Sequence, residues 1–152
     1  MWIILAGIFF ILHAFVHLLY AGQALGFFEL RPGLAWPAGA WLFSRLLGDP
    51  ATRWLAAISL ALTALGFLSA GLGVFFGAGW ARTVTLGAAG FSVLIYLLFW
   101  DGKFHALPEK GGIGLLISLA ILLLALAFWS GPAPLQTEEG VNRLEQVELG
   151  GV

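Results

Sequence analysis

The chain has 152 residues, of which 61% are hydrophobic and only 10% are charged, and its mean hydropathy is +0.98. Soluble domains carry about 25% charged residues, so this composition excludes an ordinary soluble globular protein. The net charge of −1 provides no basic surface for a phosphate backbone, which argues against nucleic-acid binding. The chain has no cysteine, which excludes disulfides, thiolate metal sites and cysteine nucleophiles.

Four long stretches of the chain carry no charged residue. A helix needs about 20 apolar residues to cross a bilayer, and it satisfies its own backbone hydrogen bonds in lipid. We therefore predict an all-α fold, an integral membrane four-helix bundle within residues 1–132. The predicted helices cover residues 2–21, 51–77, 80–100 and 112–130.

Local chemistry supports the ends of these helices. The first stretch has neither a basic segment before it nor a small-residue cleavage site after it, so we predict a retained helix and not a signal peptide. Asp49 and Pro50 suit the start of the second helix, with Asp49 as the N-cap. The glycines at 77 and 79 predict a break before the third helix.

The positive charges predict an orientation in the membrane. Five of the seven Lys and Arg residues fall between helices one and two or between helices three and four, and only two fall on the other side. The positive-inside rule places those two loops in the cytoplasm and both termini outside. The five residues are Arg31, Arg45, Arg53, Lys103 and Lys110.

Two segments lie outside the predicted helices. The connection between helices one and two is rich in aromatic residues and poor in charge, so we expect an interfacial or re-entrant segment. This segment either covers the end of the bundle as an interfacial helix or closes a cavity as a lid. Residues 133–152 form a short acidic extramembrane tail, with glutamates at 138, 139, 145 and 148.

Small residues recur at helical spacing on the second and third predicted helices. Close approach of backbones through such residues is the usual way in which membrane helices pack. We therefore expect these two helices to form a tight hairpin, with a dimer seam as the alternative. The small residues are Gly66, Ser69, Gly73 and Gly77 on the second helix, and Thr83, Gly87 and Gly90 on the third.

His13 and His17 are the most distinctive residues of the sequence. They lie four residues apart in the first helix and therefore share one helix face, and Tyr20 follows on the same broad face. Ionisable side chains inside a membrane are costly and face the protein interior or water. The predicted topology brings further polar groups to the same end of the bundle, namely Tyr96, Trp100, Asp101 and His105.

Three roles for this polar group remain open. A neutral histidine can hydrogen-bond to adjacent helices and fix their packing. Histidine and tyrosine can also bind the head of a lipid-like or quinone-like ligand, whose tail lies among aromatic residues. The third role is a metal or haem site at His13 and His17, with Asp101 or His105 as further ligands. A haem held by two histidines would need a dimer or His105, because only the first predicted helix contains histidines.

Transport has little support in the sequence. None of the four predicted helices carries a carboxylate in its membrane interior, and none is visibly broken at mid-membrane, although carriers commonly show both features.

Two motifs resemble a known group of proteins. They are LHAFVHL at residues 12–18, and WDGK at residues 100–103 followed by EKGGIGLLI at residues 109–117. Both resemble small four-helix bacterial membrane proteins of unknown function, some of which carry transporter-permease names. A looser similarity is to DoxX-like four-helix membrane proteins, some of which are linked to redox or quinone pathways. The resemblance implies the four-helix architecture and assigns no residue a role.

The sequence thus predicts a small polytopic membrane scaffold or accessory subunit that binds a lipid-like or quinone-like molecule near His13 and His17. No cofactor is the favoured expectation. The alternatives are a redox, metal or haem enzyme that uses the same histidines, and a small transporter. The expected partners are the lipid bilayer and a homodimer or larger membrane complex.

Overall fold

A computed structural model of the chain describes residues 2–34, 36–105 and 107–128. These residues form four α-helices, and no strand occurs among them, which confirms the all-α prediction. The tail at residues 133–152 and the last two residues of the fourth predicted helix lie outside the described residues. The helices are α1 (Trp2–Leu25), α2 (Phe43–Phe75), α3 (Ala81–Leu98) and α4 (Gly112–Phe128).

Three of the helices, α1, α2 and α3, are long and apolar enough to cross a membrane. The fourth, α4, is equally apolar but shorter, with 17 residues in its described length. Large apolar side chains are exposed along the outside of all four helices, as at Leu12, Leu65, Leu94 and Leu123. The described surface is therefore apolar along the helices and polar mainly in the segments that join them.

Helix α1 is four residues longer than predicted. It ends at Leu25, where Gly26 takes a φ of +79° and its backbone N–H donates to the Gln23 carbonyl. Glycine tolerates this left-handed conformation and commonly ends a helix. The predicted end at residue 21 precedes Gly22 and Gln23, and the structure continues the helix through both of them.

Helix α2 begins eight residues earlier than predicted, at Phe43, and contains an internal kink. The kink lies at Gly48, whose φ of +75° and ψ of +161° are not helical. Pro50 follows and has no backbone N–H to donate. Asp49 does not cap the helix as predicted, because its carboxylate accepts the backbone N–H of Gly39 at 3.0 Å.

The helices contact one another in a closed order. Helix α1 contacts α2, α2 contacts α3, α3 contacts α4, and α4 returns to α1 through the smallest of these contacts. Two apolar clusters fill the space between them. One cluster lies near the α1 C-terminus and includes Tyr20, Leu60 and Tyr96. The other lies toward the opposite end of α1 and includes Phe10 and Phe67.

The small residues of α2 and α3 pack differently from the prediction. Gly66 faces Ala88 of α3, but Gly71 faces the Gly7 carbonyl of α1, so α2 approaches two helices closely. The predicted stripe on α3 does not form the seam, because a side chain at Gly87 or at Gly90 would meet no atom within 4 Å. On α3 the close contacts to α2 are made by alanines, whose small side chains still allow the backbones to approach.

Candidate functional site

His13 and His17 lie side by side in the interior of the protein. His13 is 2% exposed and His17 is fully buried, and their ring centroids are 4.7 Å apart. They share one face of α1 because a spacing of four residues is close to one helical turn. Phe67 of α2 packs against both imidazole rings, with centroid distances of 4.6 and 5.3 Å.

Two buried serines connect the histidines into one chain of hydrogen bonds. His13 Nε2 is 3.0 Å from the Ser118 Oγ on α4, and His17 Nε2 is 2.8 Å from the Ser92 Oγ on α3. The two serine hydroxyl oxygens are 2.8 Å apart. His17 Nδ1 completes the chain with a 3.0 Å hydrogen bond to the backbone carbonyl of His13. The four side chains, hereafter the His–Ser chain, therefore join α1, α3 and α4.

The partners fix the direction of every hydrogen bond when both histidines are neutral. A carbonyl only accepts, so Nδ1 of His17 carries the proton and its Nε2 accepts from the Ser92 hydroxyl. The Ser92 oxygen then accepts from the Ser118 hydroxyl, and the Ser118 oxygen accepts from the Nε2–H of His13. His13 Nδ1 is left with a lone pair that has no hydrogen-bond partner among the described residues.

Next to the histidines, three aromatic side chains contribute to the cluster near the α1 C-terminus. Trp36, from the connection between α1 and α2, packs against Tyr20 and Tyr96 at centroid distances of 6.2 and 6.0 Å. The Tyr20 hydroxyl donates to the Pro108 carbonyl at 2.6 Å. Trp41 also anchors this connection, because its Nε1–H donates to the Leu97 carbonyl at the end of α3. Residues 36–41 of this connection therefore pack onto the ends of α1 and α3.

A cavity of about 380 Å³ opens beside this cluster, between the end of α3 and the start of α4. Its lining is almost wholly apolar, as is usual for sites that bind small hydrophobic molecules. The lining residues are Trp36, Tyr96, Leu97, Trp100, Phe104, Leu107, Pro108, Lys110, Gly111, Gly112, Ile113, Leu115 and Leu116.

Lys110 is the charged residue in this lining, and the carboxylate of Asp101 compensates its charge. It is 7% exposed, and its Nζ donates to the Asp101 carboxylate at 2.6 Å. Partial burial acts to raise the pKa of the Asp101 carboxyl, but Lys110 and the Lys103 backbone N–H lower it more, so that the pKa lies below its ordinary value. The ion pair therefore holds at neutral pH and presents no net charge to the cavity.

The glycines after Lys110 let the chain pass close to Tyr96. Gly111 takes a φ of +88°, and a side chain there would collide with the Tyr96 ring. Gly114, one turn into α4, lies below the Tyr96 hydroxyl, which has no hydrogen-bond partner among the described residues. The Lys-Gly-Gly sequence is thus explained by the packing of Tyr96 against the start of α4.

The structure divides the predicted site residues into three groups. Tyr96 and Trp100 line the cavity, while Tyr20 contacts Tyr96 and Asp101 binds Lys110. His13 and His17 belong to the His–Ser chain and do not line the cavity. His105 is exposed and joins neither group in the hydrogen bonds that are described.

Sequence reasoning did not single out four residues that matter here. Ser92 and Ser118 each lie in an apolar helix, and the sequence contains other serines in similar settings. Trp36 and Lys110 were treated as residues of loops. A polar residue on the inward face of an otherwise apolar helix could have identified both serines.

A metal site has no support in this geometry. Within residues 2–34, 36–105 and 107–128, no group of three or more His, Asp or Glu side chains is placed to hold a metal ion. Three of the four imidazole nitrogens of His13 and His17 are engaged in hydrogen bonds.

Comparison of the chain with protein-family models, with curated proteins and with solved structures gives no match. The resemblance to small four-helix membrane proteins and to DoxX-like proteins therefore stays a prediction.

Proposed function

We propose that this chain is a small polytopic protein of the bacterial inner membrane that binds a neutral, lipid-like or quinone-like amphiphile in the cavity between α3 and α4. The observation that carries the proposal is the cavity of about 380 Å³ with an apolar lining and one internally neutralised ion pair. A membrane location is supported by the three helices of sufficient length and by the apolar outer surface. The described part of α4 is close to the shortest span that crosses a bilayer.

The lining of the cavity indicates the chemical class of the ligand. The apolar tail would contact the aromatic and aliphatic side chains, which gain from burial. A neutral head fits better than an anion, because the charge of Lys110 is already compensated by Asp101 at 2.6 Å. Tyr96 contributes its ring to the aromatic lining, and its hydroxyl is buried beside Gly114.

The arrangement favours binding over catalysis. The polar side chains of the lining are Lys110, which Asp101 neutralises, Tyr96, and the indoles of Trp36 and Trp100. The indole N–H of Trp100 donates to the Lys103 carbonyl at 3.1 Å. These groups can orient a head group without reacting with it. We therefore assign the chain the role of a scaffold or accessory subunit, with both termini outside and the α1–α2 and α3–α4 connections in the cytoplasm.

Photoaffinity labelling of the full chain in mild detergent tests this proposal. Two probes of the same chemistry separate the ligand sources, a photoreactive diacylglycerol and a photoreactive short-chain ubiquinone. Leu97→Trp partly fills the cavity, and Leu94→Trp is the matched control on the same helix, because these leucines are 48% and 49% exposed. Leu97 lines the cavity and Leu94 does not.

We expect the labelled residues to lie at the end of α3 and the start of α4. Leu97→Trp should lower the labelling severalfold for the probe that binds, and Leu94→Trp should leave it unchanged. Labelling that is spread evenly along the outer helix surface, or that responds equally to both substitutions, would contradict the proposal.

A further inference from the structure

The His–Ser chain ends at a buried nitrogen, Nδ1 of His13, whose lone pair accepts no hydrogen bond from the described residues. Nδ1 of His13 has no hydrogen-bond partner among the described residues, while the other three imidazole nitrogens are engaged. A neutral imidazole that donates through one nitrogen is basic at the other. His13 Nδ1 is therefore the atom of this chain at which a proton can add without first breaking a hydrogen bond.

We propose that His13, Ser118, Ser92 and His17 form a proton relay, which accepts one proton from water at His13 and holds it on His17. This inference concerns the His–Ser chain alone and does not rest on the ligand proposed for the cavity. Its basis is the unbroken series of contacts at 3.0, 2.8 and 2.8 Å between four buried side chains of three helices.

The transfer balances in protons and charge. A hydronium ion gives its proton to His13 Nδ1, and the Nε2 proton of His13 passes to the Ser118 oxygen. The Ser118 hydroxyl proton passes to Ser92, and the Ser92 hydroxyl proton passes to Nε2 of His17. Each serine ends with one proton, His13 is again neutral with its proton on Nδ1, and His17 carries the positive charge.

His17 holds the charge better than His13 does. In the protonated imidazole both ring nitrogens are donors, and both nitrogens of His17 have an acceptor, the His13 carbonyl at 3.0 Å and the Ser92 oxygen at 2.8 Å. A cation on His13 would put the charge on a ring whose Nδ1–H has no acceptor among the described residues, whereas the relay leaves that N–H on a neutral ring, where it costs less. Two cations with centroids 4.7 Å apart would repel each other strongly in a medium of low dielectric constant, so the relay takes one proton and not two.

The helices around the His–Ser chain offer it hydroxyl and carbonyl groups and no carboxylate. Helices α1 and α4 contain no Asp, Glu, Lys or Arg. Helix α3 carries only Arg82, in its first turn, and α2 carries Arg45, Asp49 and Arg53 before its long apolar part. The nearest titratable neighbour is Tyr96, whose ring centroid lies 6.0 Å from that of His17. No carboxylate on α1, α3 or α4 therefore compensates a charge on either histidine.

Nuclear magnetic resonance of the full chain in micelles, with ¹⁵N-labelled histidine, tests the relay directly. The chain has three histidines, and exposed His105 serves as an internal reference outside the His–Ser chain. At neutral pH we expect the proton on Nε2 of His13 and on Nδ1 of His17. On acidification, His17 should become doubly protonated while the proton of His13 changes from Nε2 to Nδ1 in the same step.

Two serine variants separate a relay from simple packing. Ser118→Ala interrupts the relay, so protonation of His17 should no longer be coupled to a change of the His13 tautomer. Ser69→Ala, which changes an exposed serine of α2, should preserve the coupled change. The proposal fails if His13 in the unmodified chain keeps its Nε2 proton, if both histidines become cations, or if neither takes up a proton before helicity is lost in circular dichroism.

Discussion

His17 Nε2 lies 2.8 Å from the Ser92 Oγ, and this hydrogen bond joins two residues that are 75 positions apart in the sequence. Both side chains are fully buried. A polar pair in this position binds α1 to α3 across the middle of the helices, where apolar packing alone would not select one arrangement.

Ser92→Ala removes this bond and leaves His17 Nε2 without a donor. We expect the free energy of unfolding to fall by about 0.6–1.7 kcal/mol, the range for hydrogen bonds between membrane helices. Unfolding by sodium dodecyl sulfate in mixed micelles measures the change, and Ser69→Ala on the exposed face of α2 should alter stability by less than about 0.5 kcal/mol. Equal stability of the two variants would show that the bond contributes nothing.

Tyr20 and Tyr96 form a matched pair for phenylalanine substitution. Tyr20→Phe loses the hydrogen bond to the Pro108 carbonyl and should cost about 0.5–1.5 kcal/mol. Tyr96→Phe removes a hydroxyl that has no partner among the described residues, so stability should be unchanged or slightly higher. The same unfolding experiment compares them, and a larger loss for Tyr96→Phe would contradict the described contacts.

Glycine substitutions report which helix faces are in contact. In Gly71→Ala the new Cβ would lie 2.9 Å from the Gly7 carbonyl oxygen and from the Ile11 side chain. We expect a loss of about 1–3 kcal/mol from overpacking. Gly87→Ala meets no atom within 4 Å and should stabilise α3 by up to about 1 kcal/mol through helix propensity. The reverse order of stabilities would mean that the Gly87 face, and not the Gly71 face, packs closely.

The pair of Asp101 and Lys110 predicts a specific response to acid. The pKa of Asp101 is lowered in the folded protein. The pair therefore contributes its full stabilisation of the folded state at pH values above the ordinary carboxyl pKa of about 3.9. This contribution is lost as the pH falls through the lowered pKa. Asp101→Asn should therefore cost about 1.5–3 kcal/mol at pH 7 and converge with the unmodified chain in acid. Parallel stability curves for the two proteins at every pH would count against the pair.

The same substitution should change the choice of ligand. In Asp101→Asn the positive charge of buried Lys110 is no longer compensated, so an anionic head group becomes favourable. We expect retention of phosphatidylglycerol relative to diacylglycerol to rise by up to about tenfold, equivalent to about 1.4 kcal/mol. Native mass spectrometry of the full chain with both lipids measures the ratio, and Lys110→Met should show no such rise. An unchanged ratio in Asp101→Asn would place the lipid away from Lys110.

Part of this structure could be predicted from composition alone. Charge-free stretches predict the helices well, because the described charged residues lie in the connections, in the first turn of α3 or in the part of α2 before its long apolar run. Helix ends are predicted less accurately, since Gly26 ends α1 within an uncharged stretch and Gly48 kinks α2 without ending it. The start of α2 at Phe43 lies within a segment whose aromatic composition suits both a helix and an interfacial loop.

The contacts of the site could be predicted only in part. The spacing of His13 and His17 places both on one face, but nothing in one sequence tells which serines face them. Ser92 and Ser118 become partners only through the packing of α3 and α4, which depends on alanine contacts at positions such as Ala88. The cavity likewise depends on how Trp36 returns to Tyr96, and this is a property of the tertiary fold.

The hydrogen bond between His13 and Ser118 spans 105 positions of the sequence, and this distance bears on how the protein is made. Helices that are consecutive in the chain can pack as each one leaves the ribosome, whereas α1 must wait for α4. Until α4 is made, the Nε2–H of His13 lacks the Ser118 acceptor that it has in the folded protein. The last helix therefore completes the polar interior that the first helix begins.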